Sequence, residues 1–143
     1  MILHIDYDVN RDCILGESRK AEYEPFVDPK TQNVLEFWKI CRDVGPYTRT
    51  ISDELCRILD VQVKPRYYIQ EVSSMIPWHV DRGTKCAVNM VLSTQDDPIE
   101  FRHQIGSQHY IRKYHYNFAL IDTSMEHRVR ANREDRLLFK MSI

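Results

Sequence analysis

Two helical segments are predicted from the apolar pattern in the first half of the chain. Between residues 33 and 44 the apolar positions recur at intervals of three and four, which is typical of an amphipathic helix. Gly45-Pro46 would end it. A second helix is predicted from Ser52, which would be its N-terminal cap. The face that this helix buries is then Leu55, Ile58 and Leu59.

The segments before these helices are predicted to be a strand and a loop. A first strand is predicted over residues 2–7, and the polar stretch 8–29 reads as a loop because it lacks a clear period and contains two prolines. We expect the two helices to cover one sheet of the later β-rich region. Trp38 would be a core residue in that contact.

Beyond Pro65 the chain changes to short β-rich runs separated by turn residues. Strands are predicted over 66–73, 76–81, 86–93, 99–103, 109–116, 118–122, 128–131 and 137–143, with 107–122 read as either one bent strand or two. Asp96-Asp97-Pro98 and Gly106-Ser107 are the clearest turns. Eight short strands of this kind predict a β-sandwich or barrel.

Composition and charge narrow the class of protein. The 143 residues, 43% hydrophobic and 29% charged, predict one domain over 1–143, with strand, loop and helices in 1–65 and the β core in 66–143. A net charge of −1 gives no bulk attraction to nucleic acid. Four scattered cysteines predict neither a zinc knuckle nor a disulfide framework. With no signal peptide or membrane-spanning apolar run, we expect a cytoplasmic location.

Three residues stand out as candidate metal ligands. His79 and Asp81 are two positions apart, so on a strand both side chains leave the same face. His127, before another predicted strand, offers a third ligand. Two imidazoles and one carboxylate form the facial triad of non-haem Fe(II) oxygenases, which leaves positions open for a co-substrate and O2. Arg136 follows nine residues after His127, where a cation can meet a carboxylate.

The ordered set of His79-x-Asp81, His127 and Arg136 resembles the 2-oxoglutarate and Fe(II)-dependent oxygenases. The flanking segments IPWHVDRG (76–83) and KCAVNMVLS (85–93) are similar to the bacterial and phage branch allied to aspartyl/asparaginyl and proline hydroxylases. The resemblance covers about residues 66–143. It implies a mainly β fold, a double-stranded β-helix (jelly roll, cupin-like) with two flanking N-terminal helices. It also implies hydroxylation of an amino-acid or peptide side chain coupled to decarboxylation of 2-oxoglutarate, with Fe(II) and O2 required and ascorbate stimulatory.

In that family an arginine at the position of Arg136 holds the C5 carboxylate of 2-oxoglutarate. The serine that usually follows two residues later is absent, because Leu138 takes its place. A second hydrogen bond must therefore come from elsewhere, and Lys140 and Ser142 on the same strand face are candidates.

Further polar residues are candidates for the co-substrate pocket. Asn89 interrupts an apolar strand, and its buried amide needs a partner, which is either a 2-oxoglutarate oxygen or a backbone carbonyl. Tyr68 and Gln70 lie on the strand before the His-x-Asp strand and face one way, whereas Tyr67 faces the other. We therefore prefer Tyr68 and Gln70 as co-substrate contacts.

Arg82 and Trp78 flank the His-x-Asp segment and are candidate substrate-binding residues. Arg82 is either a contact to a carboxylate-bearing small molecule or peptide, or a solvated side chain. Two other functions fit the same residues. One is a cupin-type enzyme that uses the metal without 2-oxoglutarate, and the other is a non-catalytic jelly-roll module that binds a metal or ligand.

Overall fold

Two antiparallel sheets form the body of the protein in a computed structural model that describes residues 2–94, 98–130 and 133–143. The strands are β1 (Ile2–His4), β2 (Glu24–Val27), β3 (Val34–Cys41), β4 (Arg66–Gln70), β5 (Ile76–His79), β6 (Cys86–Val91), β7 (Ile99–Ile105), β8 (Gln108–Tyr114), β9 (Phe118–Asp122), β10 (His127–Val129) and β11 (Arg136–Ser142); the helices are α1 (Arg11–Lys20) and α2 (Pro46–Leu59). The larger sheet has the order β1-β9-β6-β11-β4-β3-β2, and the smaller one β5-β10-β7-β8.

From β4 onward the chain passes repeatedly between the two sheets, which is the double-stranded β-helix that the family resemblance implied. β4, β6, β9 and β11 are neighbours in the larger sheet, whereas β5, β7, β8 and β10 form the smaller one. Inward side chains from both sheets meet in one apolar cluster that includes Val91, Phe101, Ile121 and Leu138. This interior is where any residue on the inner faces can approach a residue of the opposite sheet.

Two helices cover the outer face of the larger sheet, as expected, but one of them is α1 and not the helix predicted over residues 33–44. Ile14 of α1 and Leu55 of α2 pack with Tyr67, Met90 and Phe139 from the sheet in a second apolar cluster. Because side chains alternate along a strand, the larger sheet buries one row under the helices and the other row against the smaller sheet. The helices therefore support the larger sheet from the side away from the jelly-roll interior.

The helix predicted over residues 33–44 is wrong, because β3 occupies Val34–Cys41. Its short apolar run satisfies both a helical and a β period, and its valine, isoleucine and aromatic side chains favour a strand that can pair on both edges. Trp38 accordingly packs in the interior between the sheets and not under the helices. Gly45-Pro46 does not end a helix but begins α2, where proline suits the first helical position.

The loop predicted over residues 8–29 is also wrong, since it contains α1 and β2. The side chain of Asn10 caps α1 by accepting a hydrogen bond from the Cys13 backbone N–H, with an N–O distance of 3.1 Å. The helix shows little apolar periodicity because few of its side chains are buried. Pro25 lies in β2 at the sheet edge, where a missing N–H is tolerated.

α2 is predicted from Ser52, but it starts six residues earlier, at Pro46. Ser52 is buried inside the helix, so it is not the cap. Glu17 of α1 takes that role, because its carboxylate accepts the backbone N–H groups of Tyr47 (3.0 Å) and Thr48 (2.8 Å). Of the predicted buried face only Leu55 is buried, and Ile58 is 58% exposed.

The eight strands predicted after Pro65 all exist, with ends displaced by a few residues. The stretch 107–122 is two strands, β8 and β9. Gly106 turns the β7–β8 hairpin with a φ of 62°, a left-handed conformation that glycine adopts readily. The predicted turn at Asp96-Asp97 and the strand end at Ala131 lie outside the described residues.

Candidate metal centre

A β-bulge places the two candidate histidine ligands side by side. His127 of β10 pairs with His79 of β5, and Val129 pairs with Ile76, so three steps along β5 match two along β10. Ile76 therefore remains in the core while His79 faces His127, with ring centroids 4.3 Å apart. Phe101 of β7 packs behind the His127 ring, with the two ring centroids 5.8 Å apart.

Asp81 completes a three-residue cluster just beyond the end of β5. Its backbone N–H is fixed by the Thr123 carbonyl at 3.0 Å. Its Oδ1 lies 3.3 Å from His79 Nε2 and 3.6 Å from His127 Nε2. The three ligand atoms all lie within 4.8 Å of one another, a spacing at which one metal ion can contact all three.

Hydrogen bonds on the far side of both rings leave the Nε2 atoms free for a metal. His79 Nδ1 is 2.7 Å from the Pro77 carbonyl, and His127 Nδ1 is 2.7 Å from the Met125 carbonyl. Carbonyls only accept, so in the neutral rings both Nδ1 atoms carry the proton. Two Nε2 lone pairs then face a carboxylate oxygen with no proton between them, which is the donor set that a divalent cation satisfies.

The charge state of the cluster also suits metal binding. Burial alone would raise the pKa of Asp81, but the close approach of His79 and the charge of Lys140, whose Nζ is 2.9 Å from Asp81 Oδ2, hold that pKa well below its usual range. Burial lowers the pKa of His127. A carboxylate and a neutral imidazole are therefore the prevailing forms at neutral pH.

A second polar group lies deeper in the interior, around Arg136 at the start of β11. Arg136 is only 3% exposed, and its Nη2 donates to the Tyr116 hydroxyl at 2.9 Å. Asn89 Nδ2 donates to the same hydroxyl at 3.3 Å. Arg136 and Lys140 share the inward face of β11. This strand therefore carries two cations, Lys140 at the metal cluster and Arg136 further along the interior.

Several buried polar atoms here lack a protein partner within the described part of the chain: Trp38 Nε1, Gln70 Oε1, Asn89 Oδ1 and Arg136 Nε. Each such atom costs about 1–3 kcal/mol if nothing pairs with it. Among the described residues, Arg136 has a free N–H and no carboxylate partner, and such a buried guanidinium is a fitting site for a small anion.

Of the other predicted contacts, Tyr68 and Gln70 face the interior, and Tyr67 lies in the cluster under the helices. Gln70 Nε2 donates to the Ser74 carbonyl at 3.0 Å, so the group it leaves unpaired is an acceptor. Ser142 also lies on the inward face of β11, beyond Lys140.

The candidate substrate residues lie apart from the cluster. The guanidiniums of Arg102 and Arg128 lie 4.7 and 4.3 Å from the centroid of the Trp78 ring. Because Arg128 follows His127 on β10, this stack lies on the opposite face of the smaller sheet. Arg82 is exposed in the loop after Asp81. Substrate binding by Trp78 and Arg82 stays a prediction.

Sequence reasoning missed two residues of the interior. Tyr116 joins Arg136 to Asn89 from the loop between β8 and β9, and no motif marks it. Trp38 was expected under the helices and instead packs against Tyr68 between the sheets, with ring centroids 5.3 Å apart. A correct strand assignment for β3 would have placed it there, because Trp38 pairs with Gln70 across the sheet.

No profile of a known protein family matches the sequence, and no curated protein does either. Solved structures do match. A prolyl hydroxylase from Trichoplax adhaerens, in complex with a hypoxia-inducible-factor peptide, has a TM-score of 0.71 and 13% identity over 99% of this chain and 81% of its own. A 2OG-Fe(II) oxygenase family oxidoreductase from Burkholderia pseudomallei has a TM-score of 0.64 and 13% identity over 92% and 76%.

A third match is HygX from Streptomyces hygroscopicus, solved with nickel, 2-oxoglutarate and hygromycin B, with a TM-score of 0.69 and 11% identity over 99% and 81%. The chain has the fold of the 2OG-Fe(II) oxygenases. In this 2OG-Fe(II) oxygenase fold, the cluster of His79, Asp81 and His127 lies between the sheets with Arg136 on the facing strand. Neither α1 nor α2 is long and apolar enough to cross a membrane.

Proposed function

We propose that this protein is an Fe(II)- and 2-oxoglutarate-dependent dioxygenase that hydroxylates an amino-acid or peptide side chain. The proposal rests on one observation, which is that two sites face the same interior between the sheets. A three-ligand cluster with both imidazole Nε2 atoms free faces a strand that also carries a buried, incompletely paired arginine.

The donor set suits Fe(II) in chemical terms. His79, Asp81 and His127 supply two neutral nitrogens and one carboxylate oxygen, and the cluster contains no thiolate. Three ligands on one side leave room for a chelating 2-oxo acid and O2. Once bound, the iron would supply the oxidative chemistry that converts 2-oxoglutarate to succinate and CO2 and hydroxylates the substrate.

The protein's own residues bind and orient. Lys140 holds Oδ2 of Asp81, which leaves Oδ1 turned to the histidines. Arg136 would take the C5 carboxylate of 2-oxoglutarate, and Tyr116 fixes the guanidinium while Asn89 supports Tyr116. Burial of this end excludes water, which strengthens a charge-assisted hydrogen bond.

We infer the class of prime substrate from likeness. The sequence resembles amino-acid and peptide hydroxylases, and the Trichoplax neighbour was solved with a peptide. Free proline, aspartate, asparagine and lysine, and peptides containing them, are therefore the first compounds to screen. A small molecule of another kind is the alternative, since HygX was solved with hygromycin B.

The test is succinate formation by purified protein with Fe(II), 2-oxoglutarate, ascorbate and O2. We expect slow succinate release without substrate and faster release when the right compound is added. Asp81→Ala should abolish it, and Arg130→Ala should not, because Arg130 pairs with Glu100 on the outer face of the smaller sheet. No succinate under any condition, with 2-oxoglutarate bound no better than succinate, would favour a non-catalytic metal-binding module.

Arg136→Lys separates charge from geometry. It keeps a cation but loses the two-pronged donor, so binding of 2-oxoglutarate should weaken by about tenfold or more. Equal affinity in wild type and Arg136→Lys would remove Arg136 as the anchor.

A further inference from the structure

Three interior residues that have unpaired polar atoms in the described structure lie in register on three adjacent strands. Trp38 of β3 pairs with Gln70 of β4, and Gln70 pairs with Arg136 of β11. Cross-strand partners point to the same face, so all three side chains enter the interior side by side. Adjacent strands are about 4.8 Å apart, which places the Trp38 and Arg136 backbones roughly 10 Å apart, a gap that two long side chains span.

The chemistry of these atoms is complementary to a carboxylate. Trp38 Nε1 and Arg136 Nε are both N–H donors without a protein acceptor in the described structure, and neither group can accept. A carboxylate offers two oxygens and accepts from both. Gln70 lies between them, and one N–H of its amide donates to the Ser74 carbonyl. The donors that suit an anion here are therefore those of Trp38 and Arg136.

The candidates further along β11 are less well placed. Lys140 is four residues from Arg136, roughly 13 Å along an extended strand, and its Nζ is bound to Asp81. Ser142 lies two residues beyond Lys140. Trp38, by contrast, is level with Arg136 and is held by Phe26 and Tyr68, with ring centroids at 6.3 and 5.3 Å.

We propose that the indole N–H of Trp38 is the second donor to the C5 carboxylate of 2-oxoglutarate, beside Arg136, in place of the serine that Leu138 replaces. Trp38 is then a co-substrate-binding residue that selects 2-oxo acids with a distal carboxylate. This inference rests on the proposed function, so the experiments distinguish a failure of the Trp38 role from a failure of that function.

The first experiment measures binding of two ligands by calorimetry to Fe(II)-loaded protein without O2. 2-Oxoglutarate has a distal carboxylate, whereas pyruvate has the same 2-oxo acid head without one. Trp38→Phe keeps an aromatic ring against Tyr68 but removes the N–H. We expect it to bind 2-oxoglutarate about tenfold more weakly, the loss of one hydrogen bond to a charged group, and to bind pyruvate as wild type does. Tyr110→Phe, which removes a hydroxyl on the exposed hairpin, is the control and should change neither.

Each outcome has a distinct meaning. If Trp38→Phe binds 2-oxoglutarate as tightly as wild type while Arg136→Lys does not, the role of Trp38 is refuted and the proposed function stands. Equal weakening for 2-oxoglutarate and pyruvate would also refute it, since a general packing defect affects both. If wild type itself does not prefer 2-oxoglutarate to pyruvate, the proposed function fails first.

A second measurement does not depend on the folding of Trp38→Phe. Trp38 and Trp78 are the two tryptophans of the chain, so in Trp78→Phe the emission comes from Trp38 alone. In the zinc-loaded variant, 2-oxoglutarate should shift that emission and saturate at the calorimetric affinity, whereas pyruvate should not. An identical response to both ligands, or none to either, would contradict a contact at the indole.

Discussion

Lys140 Nζ lies 2.9 Å from Asp81 Oδ2, while the other oxygen of the same carboxylate faces both histidines. The side chains are 14% and 17% exposed, so the ion pair is largely shielded from water. One residue of the final strand thus fixes the direction in which Asp81 presents its free oxygen.

Replacing Lys140 by methionine should destabilise the metal-free protein. The carboxylate of Asp81 would lose its cation in a partly buried site, which costs about 2–4 kcal/mol. Adding a divalent metal should recover part of the loss, because the metal supplies the missing positive charge. Urea denaturation with and without metal measures both effects.

The control for that variant is Lys39→Met. Lys39 pairs with Glu71 at 2.8 Å, but the two side chains are 42% and 40% exposed. An exposed pair contributes at most about 1 kcal/mol, and metal should not change the result. Equal losses in the two variants would show that the Lys140 pair has no special place in the site.

The metal-free protein should lose stability as the pH falls through the window just below 6.5. Burial lowers the pKa of His127 in the folded state. In that window the unfolded chain therefore binds more protons than the folded protein, and acidification increases the unfolded fraction. His127→Gln should flatten this part of the curve of unfolding free energy against pH. The depressed pKa of Asp81 acts only at lower pH, where it also reduces stability on acidification. A wild-type curve that is level below pH 6.5 would argue against a buried neutral imidazole.

Tyr116→Phe should weaken 2-oxoglutarate binding, because it removes the hydroxyl that accepts from both Arg136 and Asn89. The guanidinium would then lose its orientation and a hydrogen bond of about 1.5–3 kcal/mol to a charged group. Tyr110→Phe is the control, since its hydroxyl bonds to Gln108 on the exposed hairpin. Unchanged affinity in both variants would show that Tyr116 does not hold the anchor.

The helical layer can be perturbed without touching the metal cluster. Glu17→Ala removes the acceptor of two backbone N–H groups at the start of α2, and a lost helix cap costs about 1–2 kcal/mol. Glu22→Ala, at an exposed position, should cost little. Thermal denaturation would record the difference, and metal affinity should be the same in both. A change in metal affinity would mean that the helices do more than support the sheet.

The β core could be predicted from local order in the sequence, whereas the set of three candidate metal ligands was predicted mainly from the family resemblance. Strands alternate over short runs, and a His-x-Asp pair on a strand necessarily shares a face. The spacing could not show the β-bulge between Ile76 and His79, although this bulge is what aligns His79 with His127. The bulge depends on pairing with a strand some fifty residues away in the sequence.

Two elements in the first half of the chain, α1 and β3, could not be predicted for a different reason. α1 is held by a cap at Asn10 and by few buried side chains, so its apolar period is weak. β3 carries apolar residues at spacings that also fit a helix, and its pairing with β2 and β4 decides between the two. Trp38 reaches the interior through this long-range pairing, and Tyr116 reaches it from the loop between β8 and β9, so no motif could reveal either residue.

The most direct test of the account is an anaerobic calorimetric titration of Fe(II), followed by 2-oxoglutarate. We predict one Fe(II) per chain in the wild-type protein, and 2-oxoglutarate binding that is much tighter after iron than before it. His79→Ala and Asp81→Ala should abolish tight Fe(II) binding with little loss of folded structure, whereas His109→Ala, on exposed β8, should not. If both site variants bound Fe(II) as the wild type does, or if iron left the affinity for 2-oxoglutarate unchanged, the cluster of His79, Asp81 and His127 would not be the metal centre of an oxygenase.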